Sequence, residues 1–255
     1  MNKSGNSMLI TGGGSGIGLA LAKEFKELGN QVIVAGRNKE KMQVARAMGL
    51  ETLEVDMLSS ESIEKLAKQV VDKYPTLNVV IHNAGIMKME EVGTNSNLSI
   101  INDTITTNLT GPMRLTEALL PHLLKQKNGA IMTVTSGLAF VPAALFPTYC
   151  ATKAGLHSYT ESLRYLLRDS SVQVLELAPP YVQTELTGQH QATDPNAMPL
   201  SDFIKEVMTI IGEKPDETEI LVERVQALRN SYAGGKEKYL EFFKQFNDSM
   251  ASFRK

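Results

Sequence analysis

Six short apolar runs, separated by longer stretches of helical period, constrain this chain more than any other feature of its sequence. The runs cover residues 8–11, 31–35, 52–55, 78–82, 130–135 and 172–177. Most lack the in–out alternation of a half-buried strand, so both their faces are expected inside the protein. Helical periodicity fills residues 16–28, 39–48, 60–73, 98–125 and 148–168. Strands of this kind joined by helices form a parallel sheet, because a crossover must carry the chain back to the same end. The sequence thus predicts an α/β fold, a doubly wound parallel sheet with helices on both faces. No linker or repeat interrupts the rhythm, and residues 1–255 are expected to form a single domain.

After Pro179 the pattern changes. Residues 186–199 are rich in Gly, Gln, Asn, Thr and Pro and read as a loop; a helix is expected over 201–211. Ligands of open α/β sheets bind beyond the carboxyl ends of the strands, so residues 186–215 are expected to form a substrate lid. A final amphipathic helix is expected over 236–253, with Tyr239, Phe242, Phe243 and Phe246 as a packing face.

Thr11-Gly12-Gly13-Gly14-Ser15-Gly16-Ile17-Gly18 directly follows the first run and opens the first helix. Glycines let the backbone turn sharply and approach a ligand, and the helix start offers unpaired N–H groups to a pyrophosphate. A flexible turn also uses glycines, but placement between strand and helix favours a Rossmann-like phosphate site. The spacing is T-G-x-x-x-G-x-G rather than G-x-G-x-x-G.

That spacing resembles the short-chain dehydrogenase/reductase family, and the likeness extends over residues 8–185. Asn83-Ala84-Gly85 follows the fourth run as in the family's N-N-A-G motif. Asn108-Leu109-Thr110-Gly111-Pro112 resembles its N-x-x-G-P motif, and Ser136 precedes Tyr149-Cys150-Ala151-Thr152-Lys153 as in its Ser and Y-x-x-x-K pair. The details around Ser136, Tyr149 and Ala178-Pro179-Pro180 look closest to one bacterial subgroup, the DltE-type oxidoreductases, associated by name with teichoic acid D-alanylation.

The resemblance implies hydride transfer between a nicotinamide cofactor and a small carbonyl or alcohol substrate. It assigns Tyr149 as general acid/base, Ser136 as the ligand of the reacting oxygen, Lys153 as ribose ligand and modifier of Tyr149, and Asn108 as holder of a relay water. By the same resemblance Gly12, Ser15, Gly16, Ile17 and Gly18 would hold the pyrophosphate. Asp56, Met57, Asn83, Ala84 and Gly85 would line the adenosine and ribose, with Pro179, Val182 and Thr184 at the nicotinamide carboxamide. Each motif has an ordinary structural reading: a chance helical pair, a strand terminator, a buried Asn bonded to backbone, a turn cap at Asp56. Their joint order on the right elements favours the functional one.

The pair also makes physical sense. Tyr149 and Lys153 are four apart on a predicted helix and share a face. A free tyrosine titrates near pH 10, too high for exchange near neutrality. An ammonium about 4 Å from a phenolate, at an effective dielectric near 20, contributes roughly 4 kcal/mol, or about three pKa units before desolvation.

The second run ends Ala35-Gly36-Arg37-Asn38, without the acid that binds a ribose 2′-hydroxyl in NAD-dependent proteins. Arg37 is either a ligand of a 2′-phosphate or a solvated surface charge; with no acid beside it, NADP is the expected cofactor and NAD the alternative. Ser15 stands where some NADP-preferring relatives carry a second base.

Composition narrows the remaining choices. With Lys+Arg 26 against Asp+Glu 28, no basic footprint suggests nucleic acid. The lone Cys150 excludes an intrachain disulfide and suits a reducing compartment, and four scattered histidines suggest no metal site. No signal peptide or bilayer-spanning stretch is recognised, so a cytoplasmic location is expected. Helices 98–125 and 148–168 are expected to pair copies into a homodimer or homotetramer, as the resemblance implies. Two departures from the family pattern stand out: His82 replaces the first Asn of N-N-A-G, and Pro180 replaces a glycine. Other functions remain open at this point: a cofactor-sensing protein without catalysis, or an accessory factor in cell-envelope modification.

Overall fold

The computed structural model describes residues 1–93 and 97–250. Strands β1 (Ser7–Thr11), β2 (Gln31–Gly36), β3 (Glu51–Glu54), β4 (Leu77–His82), β5 (Gly129–Val134), β6 (Val172–Leu177) and β7 (Glu219–Ile220) form one sheet, in the order β3-β2-β1-β4-β5-β6-β7. Every pairing is parallel. The two-residue β7, joined to β6 through Glu176 and Glu219, was not expected because so short a strand carries no periodic signal.

Consecutive residues of one strand serve opposite apolar layers. Met8 and Ile10 of β1 pack with Val32, Val34, Leu21 and Phe25, whereas Leu9 packs with Ile33, Val80, Leu66 and Leu115. Helices α1 (Gly16–Glu27) and α8 (Leu200–Glu213) cover the first face; α3 (Ser60–Lys73), α5 (Gly111–Leu123) and α6 (Pro147–Leu166) cover the second. The order of strands reverses between β1 and β4, so the loops at their carboxyl ends diverge and leave a crevice there. The glycine-rich turn after β1 lies at that crevice.

Three expected segments take a different form. The helix expected over 98–125 consists of α4 (Leu98–Ile105) and α5, joined by a π-helical turn, Thr106–Thr110, with Asn108 at its centre. A π turn holds one extra residue and commonly marks a functional site. Within the expected lid, α7 (Gln189–Ala192) interrupts the loop, and α8 is a core helix: Phe203 and Val207 are fully buried. The final helix is α10 (Lys236–Ser249), after the short α9 (Gln226–Arg229); residues 251–253 of the expected span lie outside the described residues.

Candidate active site

The site assembles where β1, β4, β5 and β6 end. After Thr11 the chain turns through Gly12, φ 67°, and enters α1 at Gly16, φ 53°, both in the left-handed region that favours glycine. A Cβ on Gly12 would lie 2.8 Å from Ala84 Cα, and one on Gly18 would lie 2.3 Å from Asn83 Nδ2. Asn83 explains this closeness. Its Nδ2 donates to the carbonyls of Thr11 (3.0 Å) and Gly12 (3.2 Å), while the Asn83 and Ala84 N–H groups both donate to Thr11 Oγ1 at 3.1 Å. The β4 motif thus clamps the glycine turn from the neighbouring strand.

Ser15 precedes α1 but its side chain caps nothing, and the first turn carries no acid. The first N–H groups of α1 therefore have no side-chain acceptor, and the positive end of the helix dipole is unopposed. That donor set suits a pyrophosphate. Ile17 packs against the core beneath it.

At the end of β2, Asn38 caps α2 (Lys39–Ala47): its Oδ1 accepts from Lys41 N at 2.9 Å. Arg37 is exposed, with Nη1 3.7 Å from Asp56 Oδ1. Asp56 Oδ1 also accepts from Leu58 N at 3.1 Å, a turn-capping role. The acid missing after β2 in the sequence is thus brought to Arg37 from the end of β3. Met57 is buried beside it, against Gly111 of α5.

Tyr149 and Lys153 lie on one face of α6, 6% and 4% exposed. Lys153 Nζ donates to Val134 O at 2.7 Å and sits 5.6 Å from the Tyr149 ring centroid. Ser136 follows β5 in extended conformation, its Oγ accepting from Leu138 N at 3.1 Å. Electrostatics differ from the sequence expectation. Burial pushes the Tyr149 phenol up, opposed by the Ser136 hydroxyl, whereas burial lowers Lys153 to about 8 against the pull of Glu176. Desolvation dominates, and Tyr149 is a phenol at neutral pH.

The π turn directs Asn108 inward, where it is fully buried. Its Oδ1 accepts from Ile86 N (2.9 Å), and its Nδ2 donates to Ile86 O (2.9 Å) and Thr152 Oγ1 (3.3 Å). Both amide hydrogens are committed and one oxygen lone pair remains. Gly85 lies against this group, its Cβ position 3.4 Å from Asn108 Oδ1 and 3.7 Å from Lys153 Nζ. Beyond β6, Pro179 O accepts from Gly137 N at 2.9 Å, and Val182 pairs with Met198 in an isolated bridge. The Thr184 side chain reaches 3.5 Å from the Cβ position of Gly16. The expected site residues of the glycine turn, of α6 and of the loop after β6 therefore gather at one end of the sheet; Arg37, Asn38, Asp56 and Met57 lie at the ends of β2 and β3.

Residues outside the motifs join them. Glu176 of β6 is wholly buried, accepting from Thr135 Oγ1 (2.6 Å) and facing His157 Nδ1 at 2.7 Å, one turn beyond Lys153. Glu90 receives Thr148 N (2.9 Å) and Oγ1 (2.7 Å), fixing the start of α6. From the carboxyl end, Asn247 of α10 accepts from Ala144 N and donates to Pro142 O, and Phe246 packs beside the cluster holding Tyr149. None of these pairings has a short-range sequence signal. His82 is buried, its Nε2 2.8 Å from Thr116 Oγ1, and burial lowers it to about 4. Cys150 is buried and raised to about 11, as suits a packing residue rather than a nucleophile. Among the described residues no group of three potential metal ligands occurs, and no helix is long and apolar enough to cross a membrane.

A family model described as short chain dehydrogenase matches residues 6–195. The chain is 39% identical over 254 residues to the uncharacterized oxidoreductase DltE of Bacillus subtilis (strain 168), covering 97% of this chain and 98% of that relative. Among solved structures, a short chain dehydrogenase from Burkholderia cenocepacia J2315 in complex with NADP matches with a TM-score of 0.82 and 22% identity, over 95% of this chain and 99% of that one. A short-chain dehydrogenase from Sphingobium yanoikuyae in complex with NADPH has a TM-score of 0.76 and 24% identity, over 90% and 94%.

Proposed function

Because the chain belongs to the short-chain dehydrogenase family, we propose that it interconverts a carbonyl and an alcohol with NADP(H), Tyr149 moving the proton. The observation that carries this reading is the meeting of Ser136, Tyr149 and Lys153 beside an uncapped phosphate turn. A nicotinamide cofactor, when bound, would supply the hydride for reduction and accept it in oxidation.

The chain's own residues handle the proton. Ser136 directs its hydroxyl to the substrate oxygen and fixes it. In reduction the Tyr149 phenol donates its proton to that oxygen; in oxidation the phenolate removes it. Lys153 stabilises the phenolate left by reduction, an interaction strongest once a substrate excludes water. Asn108 braces Ile86 and Thr152 and offers its remaining oxygen lone pair to the relay. Pro179, Val182 and Thr184 hold the carboxamide side. Leu138, Leu145 and Phe146 pack in the apolar cluster that holds Tyr149, which favours a partly hydrophobic substrate, with residues 186–199 as its lid.

Arg37 supports NADP(H), since an exposed guanidinium can bind a phosphate with two charge-assisted bonds. Asp56 favours NAD(H) as a second reading, because its carboxylate stands beside Arg37 and can accept from a ribose hydroxyl. We place the enzyme in the cytoplasm as a homodimer or homotetramer. Screening NADPH and NADH oxidation against a panel of ketones and aldehydes tests the activity. Arg37→Asp should reverse the NADP/NAD ratio of kcat/KM, and an unchanged ratio removes the cofactor assignment.

A further inference from the structure

Lys41 occupies the first turn of α2, four residues past Arg37, and points back to the glycine turn. Its Nζ lies 3.4 Å from Ser15 Oγ, and a Cβ on Gly14 would sit 3.1 Å from Lys41 Cβ. The cation missing from position 15 is therefore supplied by a different element. Lys41 also holds Glu185, Nζ to Oε2 3.0 Å. Glu185 is the residue after Thr184, which rests over Gly16, and its other oxygen accepts from Gln189 Nε2 at 2.7 Å. One half-exposed ion pair thus ties the start of the lid segment to the phosphate turn.

We propose that Lys41 is a second cation for the 2′-phosphate of NADP(H) and that Glu185 is its displaceable counter-ion. This deepens the cofactor reading above and rests on it. A phosphate monoester carries close to two negative charges and three acceptor oxygens, against one charge and two oxygens for a carboxylate. The phosphate therefore takes Lys41, and Glu185 retains Gln189 within its own segment. Binding of NADP(H) unfastens the lid segment at this point, whereas NAD(H), having no such phosphate, leaves the pair closed. Glu185 also discriminates by itself: without Lys41 to neutralise it, its carboxylate repels the phosphate.

The test measures Kd for NADPH and NADH by isothermal titration calorimetry on the full chain. Wild type, Lys41→Gln, Glu185→Gln, the double variant and Arg37→Asp are compared. Loss of one charge-assisted phosphate bond predicts about 10- to 100-fold weaker NADPH binding for Lys41→Gln, with NADH little changed. Glu185→Gln should tighten NADPH and leave NADH unaffected, and the double variant should bind NADPH better than Lys41→Gln alone. Equal binding of both cofactors by wild type overturns the NADP(H) reading and this inference together. A wild-type NADPH preference that Arg37→Asp abolishes but Lys41→Gln leaves intact overturns this inference alone.

Discussion

At the scale of single residues, two buried bases set opposite expectations. His82 titrates near 4 in the folded chain and near 6.5 unfolded, since burial disfavours its charge. Below the unfolded value the unfolded chain binds the extra proton, so stability is lost as pH falls from about 6.5 toward 4, by up to about 3 kcal/mol. Urea denaturation across that range should show the loss, and His82→Asn should flatten it. Lys153, lowered to about 8, bears on the proposed catalysis instead. The proposed mechanism needs its ammonium when Tyr149 becomes a phenolate, so kcat/KM for carbonyl reduction should fall as pH rises through about 8. Glu176 supports that charge, and Glu176→Gln should move the fall to lower pH; an unmoved profile would show that the carboxylate only braces Thr135 and His157. Sequence revealed the Tyr149–Lys153 pair because four residues span one helical turn. It could not reveal Glu176 behind it, a partner fixed only by packing α6 on β6.

At the scale of elements, close packing determines which glycines are indispensable. Gly18→Ala would drive Asn83 from the turn and break its two bonds there, a loss of about 2 kcal/mol and roughly 4–8 °C in Tm. Thermal unfolding of this variant measures the strength of the clamp. Helix α8 gives a second contrast. Phe203→Ala should cost about 3–5 kcal/mol of stability, as expected for a core helix, whereas a lid residue would alter KM and spare Tm. Strands β1, β2 and β4–β6 were legible because burial on both faces leaves near-continuous apolar runs. The π turn was hidden because one added residue barely disturbs helical period; the helix of α8 was legible, but not the face it buries, because an amphipathic helix looks alike over a core or a ligand.

For the whole molecule, the crevice follows from the sheet: parallel pairing puts the glycine turn and the start of α6 at the same end, and the reversal of strand order between β1 and β4 opens a space there. Two remote ion pairs border this site, Arg37 with Asp56, both expected near the adenosine, and Lys41 with Glu185, whose segments no motif connects. Exposed Leu98 and Ile105 on α4, with Tyr165 and Leu166 at the end of α6, support the proposed self-association. Light scattering after gel filtration should report a dimer or tetramer, and Leu166→Glu should shift it toward monomer. The central claim is that Tyr149 performs the proton transfer of a carbonyl–alcohol oxidoreductase. Its most direct test compares wild type with Tyr149→Phe, measuring NADPH binding and then turnover on a carbonyl the wild type reduces. The account predicts an unchanged fold and Kd with turnover abolished; full activity in Tyr149→Phe would contradict it.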